Sequence, residues 1–224
     1  MAAAGDGDAW PRVIVLDAQA GSQAEVTGNA DGGARMLTAG QVLQAAPLSP
    51  DIRPGARLFV YRPGPWLARI EGRERPDAGD AAVRLAFRVG RVQLLRAGDG
   101  RGELLIVRSN REIVAGDLVL DELPRPQPQY SAVPVMPAWR ALEVRVAPQR
   151  GNEFLRFAGA GQVVALDRGA RDGVLAGMCL RQRAGGRVMG RVLHAGTHAA
   201  AAQLGRVSAP LEAGDAVLMT PCTD

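Results

Sequence analysis

Short apolar and alternating segments separated by turn residues run along the whole chain. Arg12-Val-Ile-Val-Leu16, Arg57-Leu-Phe-Val-Tyr61, Val83-Arg-Leu-Ala-Phe-Arg-Val89 and Glu103-Leu-Leu-Ile-Val107 occupy the first half. Leu142-Glu-Val-Arg-Val146, Gln162-Val-Val-Ala-Leu166 and Arg187-Val-Met-Gly-Arg-Val-Leu193 follow in the second. A period of two in Val, Ile and Phe predicts strands. No stretch keeps a helical period over three turns. His198-Ala-Ala-Ala-Ala-Gln-Leu204 is helical by propensity. It falls where the first half has Glu103–Val107, however, and is assigned as a strand.

The two halves repeat one another. Gly40-Gln-Val-Leu43 returns as Gly161-Gln-Val-Val164, and Asp51–Leu58 returns as Asp172–Leu180 with one inserted residue. Gly90-Arg-Val92 matches Gly190-Arg-Val192, and Arg96-Ala-Gly98 is echoed by His194-Ala-Gly196. Both halves close on one phrase, Ile113-Val-Ala-Gly-Asp-Leu-Val-Leu120 and Leu211-Glu-Ala-Gly-Asp-Ala-Val-Leu218. In each, a glycine free to take positive φ (Gly116, Gly214) precedes an aspartate able to bond its own backbone (Asp117, Asp215), which predicts a structural turn into a final strand.

These signals predict an all-β protein of two related small β-barrel or sandwich modules joined by a Pro-rich linker. Residues 1–11 read as a flexible tail, with neither the basic nor the apolar segment of a signal peptide. Residues 12–120 form the N-terminal module, with an inserted hairpin at 63–82. Residues 121–139 carry five prolines up to Pro137 and form a semi-rigid, extended linker. Residues 140–221 form the C-terminal module.

Composition narrows the function. The charge is +4 and all 27 basic residues are arginine, but 23 acids are interleaved with them and no aromatic ladder accompanies them. That disfavours nucleic acid as a partner and suits an acidic protein surface. No apolar run approaches the ~20 residues of a membrane-spanning helix. Cys179 and Cys222 are compatible with a disulfide in an oxidising compartment or with two separate thiols. No Cys-x-x-Cys pair suggests a metal, and no cofactor motif is present. His194 and His198 lie close together in the sequence and read as surface residues flanking a turn. Ser109 and Ser208 lack a nucleophile context, so no catalytic residue is assigned. Asp167-Arg-Gly-Ala-Arg-Asp-Gly173 either reads a partner's carboxylates or phosphates, or forms a tight turn with Arg and Asp paired internally. Arg168, Arg171 and Asp172, with Trp66 and Trp139, are the candidate partner-binding residues.

The run Gly161–Gly177 and the closing Pro210–Val217 resemble the C-terminal part of the type IV pilus secretin-associated protein, a region similar to that of the flagellar assembly protein T. Gly33–Leu43, Ile52–Gly55 and Ser109–Asp117 are similar to that family's earlier repeat. The resemblance implies a non-enzymatic periplasmic protein, peripheral to the outer membrane, that binds and braces an outer-membrane secretin ring in multiple copies. No LysM segment is found, so it implies secretin-side binding more directly than peptidoglycan binding. A flagellar-ring assembly factor and a basic nucleic-acid- or cell-wall-binding module are the alternatives. If such docking occurs, exposed strand edges or the Pro-rich linker are its expected means.

Overall fold

A computed structural model describes residues 12–17, 24–30, 36–67, 83–120, 141–147, 157–183 and 186–222. The tail at 1–11, the linker at 121–139 and residues 68–82 of the inserted hairpin lie outside the described residues. The described chain is all β. It divides into two compact units, one of Ala20–Gly64 with Ala86–Arg125, the other of Met1–Gln19, Pro65–Leu85 and Pro126–Asp224. The sequence places residues 12–19 in the N-terminal module, whereas compactness groups them with the C-terminal residues.

The N-terminal unit holds β2 (Ala24–Asn29), β3 (Val42–Ala46), β4 (Arg57–Trp66) as far as Gly64, β5 (Val83–Gly98) from Ala86 on, β6 (Arg101–Ser109) and β7 (Leu118–Leu120). Hydrogen-bonded neighbours among these six run β5-β4-β7-β2-β3-β6, β5 pairs with β6 as well, and β1 (Val13–Asp17) pairs with β5 as a seventh strand. The six strands therefore close on themselves. Val26, Leu43, Leu58, Val60, Leu94 and Ile106 fill the interior, each no more than 2% exposed. The segment at Pro63–Trp66, expected as the start of an insertion, is the continuation of β4.

The other unit holds β1 (Val13–Asp17), β8 (Leu142–Arg145), β9 (Phe157–Ala158), β10 (Val163–Leu166), β11 (Cys179–Arg181), β12 (Val188–Ala195), β13 (Ala200–Leu204), β14 (Leu211–Glu212) and β15 (Ala216–Thr220). Six of them run β10-β13-β12-β11-β15-β8, and a bridge between Val146 and Leu166 joins the two ends of that order. Leu166, Val174, Leu180, Ala200, Ala202 and Met219 are wholly or almost wholly buried in its core.

The two barrels share one wiring. β2, β3, β4, β5, β6 and β7 correspond to β8, β10, β11, β12, β13 and β15, and the bonds at the turns repeat. Gly116 N donates to Val26 O at 2.9 Å and Gly214 N to Val146 O at 2.8 Å. Gly40 N donates to Ile106 O and Gly161 N to Leu204 O, both at 2.8 Å. Gly55 N donates to Leu94 O at 2.7 Å and Gly177 N to Val192 O at 2.8 Å. Gly116 and Gly214 have φ of 90° and 93°, a conformation that other residues adopt only under strain.

One repeated phrase is out of register. Val92 pairs with Ile106 and Gly190 with Leu204, so Gly190 corresponds to Val92 and not to Gly90. Both glycines are there for close backbone approach. A Cβ at Gly90 would lie 2.9 Å from Arg108 O, and one at Gly190 would lie 2.6 Å from Gln203 O.

The run Ala199–Ala202 is mostly strand, as the repeat demands. Leu43 faces Leu104 and Ala45 faces Gly102 in one barrel. Val164 faces Ala202 and Leu166 faces Ala200 in the other. Bulk has moved along the strand pair while the packing arrangement is kept. Ala201 points away from the core and is still fully buried, because β1 packs against β12 and β13.

Candidate functional site

The turn aspartates hold their loops in different surroundings. Asp117 is 1% exposed, accepts the backbone N–H of Val114 at 2.9 Å, and takes Arg62 Nε and Nη2 in a two-pronged pair at 2.9 Å each. The same Arg62 Nη2 donates to Glu112 O at 2.7 Å. Asp215 makes the matching turn bond, from Glu212 N at 2.7 Å, in an exposed position.

The loop at Asp167–Gly173 is a tight turn held by internal bonds. Arg168 Nη1 meets Asp172 Oδ1 at 2.8 Å, and Gly169 N donates to Asp172 Oδ2 at 3.0 Å. Partial burial works to raise the Asp172 carboxyl, but the Gly169 N–H and the charges of Arg168 and Arg171 outweigh it and hold the group below its ordinary value. Asp167 Oδ1 accepts Arg145 N at 2.7 Å, which ties this loop to β8. Gly169 is enclosed: a Cβ there would run into Gly196 O and lie 2.6 Å from Ala199 N and Thr197 O. Of the residues singled out in the loop, Arg171 presents an exposed side chain.

Trp66, at the end of β4, is 37% exposed and lies beneath Arg84, whose guanidinium carbon is 4.5 Å from the ring centroid. Trp139 lies outside the described residues. His194 is not a surface residue: it is 5% exposed, and its Nδ1 accepts Val15 N of β1 at 3.1 Å. Burial pushes its pKa down from 6.5 to about 4. The imidazole is therefore neutral and serves as the acceptor that latches β1 across the barrel. No group of three or more metal-ligating side chains is found among the described residues. No helix among them is long and apolar enough to cross a membrane.

Cys179 and Cys222 form a disulfide, with Cα atoms 5.1 Å apart. It fastens the end of the described chain to β11. Closing 43 residues of separation restricts the unfolded chain strongly.

Sequence reasoning missed a group of arginines. Arg183 and Arg187, on the β11–β12 connection, and Arg206, after β13, line one groove of about 290 Å3. They are spread over the sequence and share no motif, so only the fold brings them together.

Each of β2–β7 has at least two hydrogen-bonded neighbours, while β1 ends the seven-stranded order with β5 as its neighbour. No protein-family model matches the chain, and no curated protein matches it in sequence.

Proposed function

We propose that the chain is a non-enzymatic accessory protein of the cell envelope that holds another protein. Its partner in this reading is the outer-membrane secretin of a type IV pilus machine, which several copies bind and brace from the periplasm. The observation that carries this reading is the use made of the charged side chains in the repeated barrels. Asp117 with Arg62, Asp172 with Arg168, and Asp215 all fix turns. Such bonds yield rigid, shaped loops on a closed scaffold, an arrangement suited to recognition at low ordering cost. The Cys179–Cys222 bond supports export, because disulfides persist outside the reducing cytosol. The likeness of 161–177 and 210–217 to the secretin-associated family supplies the particular machine, and a symmetric ring allows many weak contacts to add.

The test is co-purification. Tagged chain is mixed with detergent-extracted outer membrane, and the secretin ring is followed through size-exclusion chromatography. Co-elution in several copies per ring is expected. A chain that elutes alone at all concentrations overturns the assignment.

A further inference from the structure

In the C-terminal unit the β11–β12 connection and the segment between β13 and β14 enclose a groove of about 290 Å3. Met189, Leu211 and Val217 give it an apolar wall, and each of the three is at most 9% exposed. Three guanidinium groups, of Arg183, Arg187 and Arg206, stand on its lining. Arg187 and Arg206 are exposed and make no ion pair among the described residues. Arg183 reaches Glu143 only at 3.4 Å, with 68% of its side chain exposed. The one carboxylate in the lining, Asp215, is turned to the backbone N–H of Glu212. The described lining therefore carries a net positive charge, three guanidiniums against one carboxylate. Val207, Ser208 and Ala209 also line the groove, and their N–H groups make no hydrogen bond among the described residues.

We propose that this groove binds a short acidic segment of a partner protein in extended form. Carboxylates meet the guanidiniums, an apolar side chain lies on Met189, Leu211 and Val217, and main-chain carbonyls accept from the 207–209 donors. The apolar wall favours this occupant over a bare phosphate, which has nothing to place there. The lack of any aromatic residue in the lining disfavours stacked nucleobases. The inference rests on reading the chain as a protein-binding module, but not on which machine supplies the segment.

Fluorescence anisotropy on the whole chain tests it, with a labelled short peptide bearing Asp and Glu on both sides of a Leu. The acidic peptide is expected to bind, more weakly as salt rises, while its Asn/Gln counterpart does not. Replacing Leu by Ser in the peptide is expected to weaken binding. The double variant Arg187→Gln/Arg206→Gln is expected to lose about tenfold in affinity, in proportion to two partly exposed charge pairs. Both positions are exposed, and an unchanged circular dichroism melt checks that the fold is kept. Arg101→Gln, on the other unit, is expected to change nothing. Equal binding of the neutral peptide, indifference to the double variant, or displacement of the peptide by equimolar inorganic phosphate each overturns the proposal. So does tighter, variant-sensitive binding to phosphatidylglycerol vesicles. Peptide binding without secretin co-elution overturns only the machine. Co-elution without peptide binding overturns only the groove.

Discussion

The repeated turn offers a comparison inside one molecule, because Asp117 and Asp215 hold the same place in two barrels. Replacing Asp215 by alanine removes one exposed bond, to Glu212 N, and is expected to destabilise its unit by about 0.5–1 kcal/mol. Replacing Asp117 removes the bond from Val114 N and both prongs of Arg62. It also leaves the guanidinium, whose side chain is 35% exposed, without its carboxylate. Charge-assisted bonds of this kind contribute more than neutral ones, and an abandoned partner adds its own desolvation cost. Because Arg62 keeps Glu112 O and some water, about 3 kcal/mol is expected, short of the full penalty for a buried charge. Two compact units make a single melting midpoint ambiguous. Native-state hydrogen exchange read by mass spectrometry on β6 and on β13 separates them. Asp117→Ala is expected to speed exchange in β6 by about two orders of magnitude, and Asp215→Ala to speed it in β13 by less than about tenfold. Arg62→Ala combined with Asp117→Ala is expected to cost less than the sum of the two. Equal losses for the two aspartates would refute the argument that burial and the Arg62 pair set the difference.

Reduction of Cys179–Cys222, or Cys222→Ser, is expected to lower the stability of the C-terminal barrel by up to about 4 kcal/mol, the loop-closure value for 43 residues of separation; urea titration with and without a reductant reads it. The neutral form of His194 is favoured by folding, so its contribution is complete above pH 6.5 and is lost as the pH falls toward about 4. Over that window the His194-dependent loss is expected to approach about 3 kcal/mol, measured as the difference in pH slope between the native chain and His194→Asn, whose amide oxygen can still accept Val15 N. Gly169→Ala is expected to disrupt the 167–173 loop, because the new Cβ meets backbone atoms that cannot move aside; loss of amide protection at Ala170 and Val174 is the readout.

Strands and turns were legible because their causes are local. Gly116–Asp117 and Gly214–Asp215 need positive φ and a short acceptor three residues from its donor, and few residue types supply these. Gln41 and Gln162 show the same economy, accepting Thr38 N at 2.7 Å and Gly159 N at 2.6 Å. The strand at Ala200–Leu204 was legible only through the repeat, since alanine favours helix and tertiary register overrode it. The shift at Gly90 was not legible. A displacement of two residues keeps every side chain on its face, so the hydrophobic pattern is blind to it. The attachment of β1 was hidden for a different reason: Val13–Leu16 announce burial but not against what. β1 pairs with β5 and packs against β12 and β13, where Val15 meets Gly196 and His194, small or dispersed residues that carry no signal until they are adjacent. The arginine groove is a product of two connections meeting. The disulfide likewise needed two distant cysteines to be 5.1 Å apart at Cα.

In the proposed function a partner is held by turns and loops and not by the strands β2–β7. Hydrogen exchange on the chain, free and bound to detergent-extracted secretin, tests it most directly. Protection gained at the turns and loops, around Arg171, Arg187 and residues 206–210, with the exchange of β2–β7 unchanged, is the predicted result. New protection spread along β2–β7, the mark of a partner strand added to an opened barrel, would contradict it.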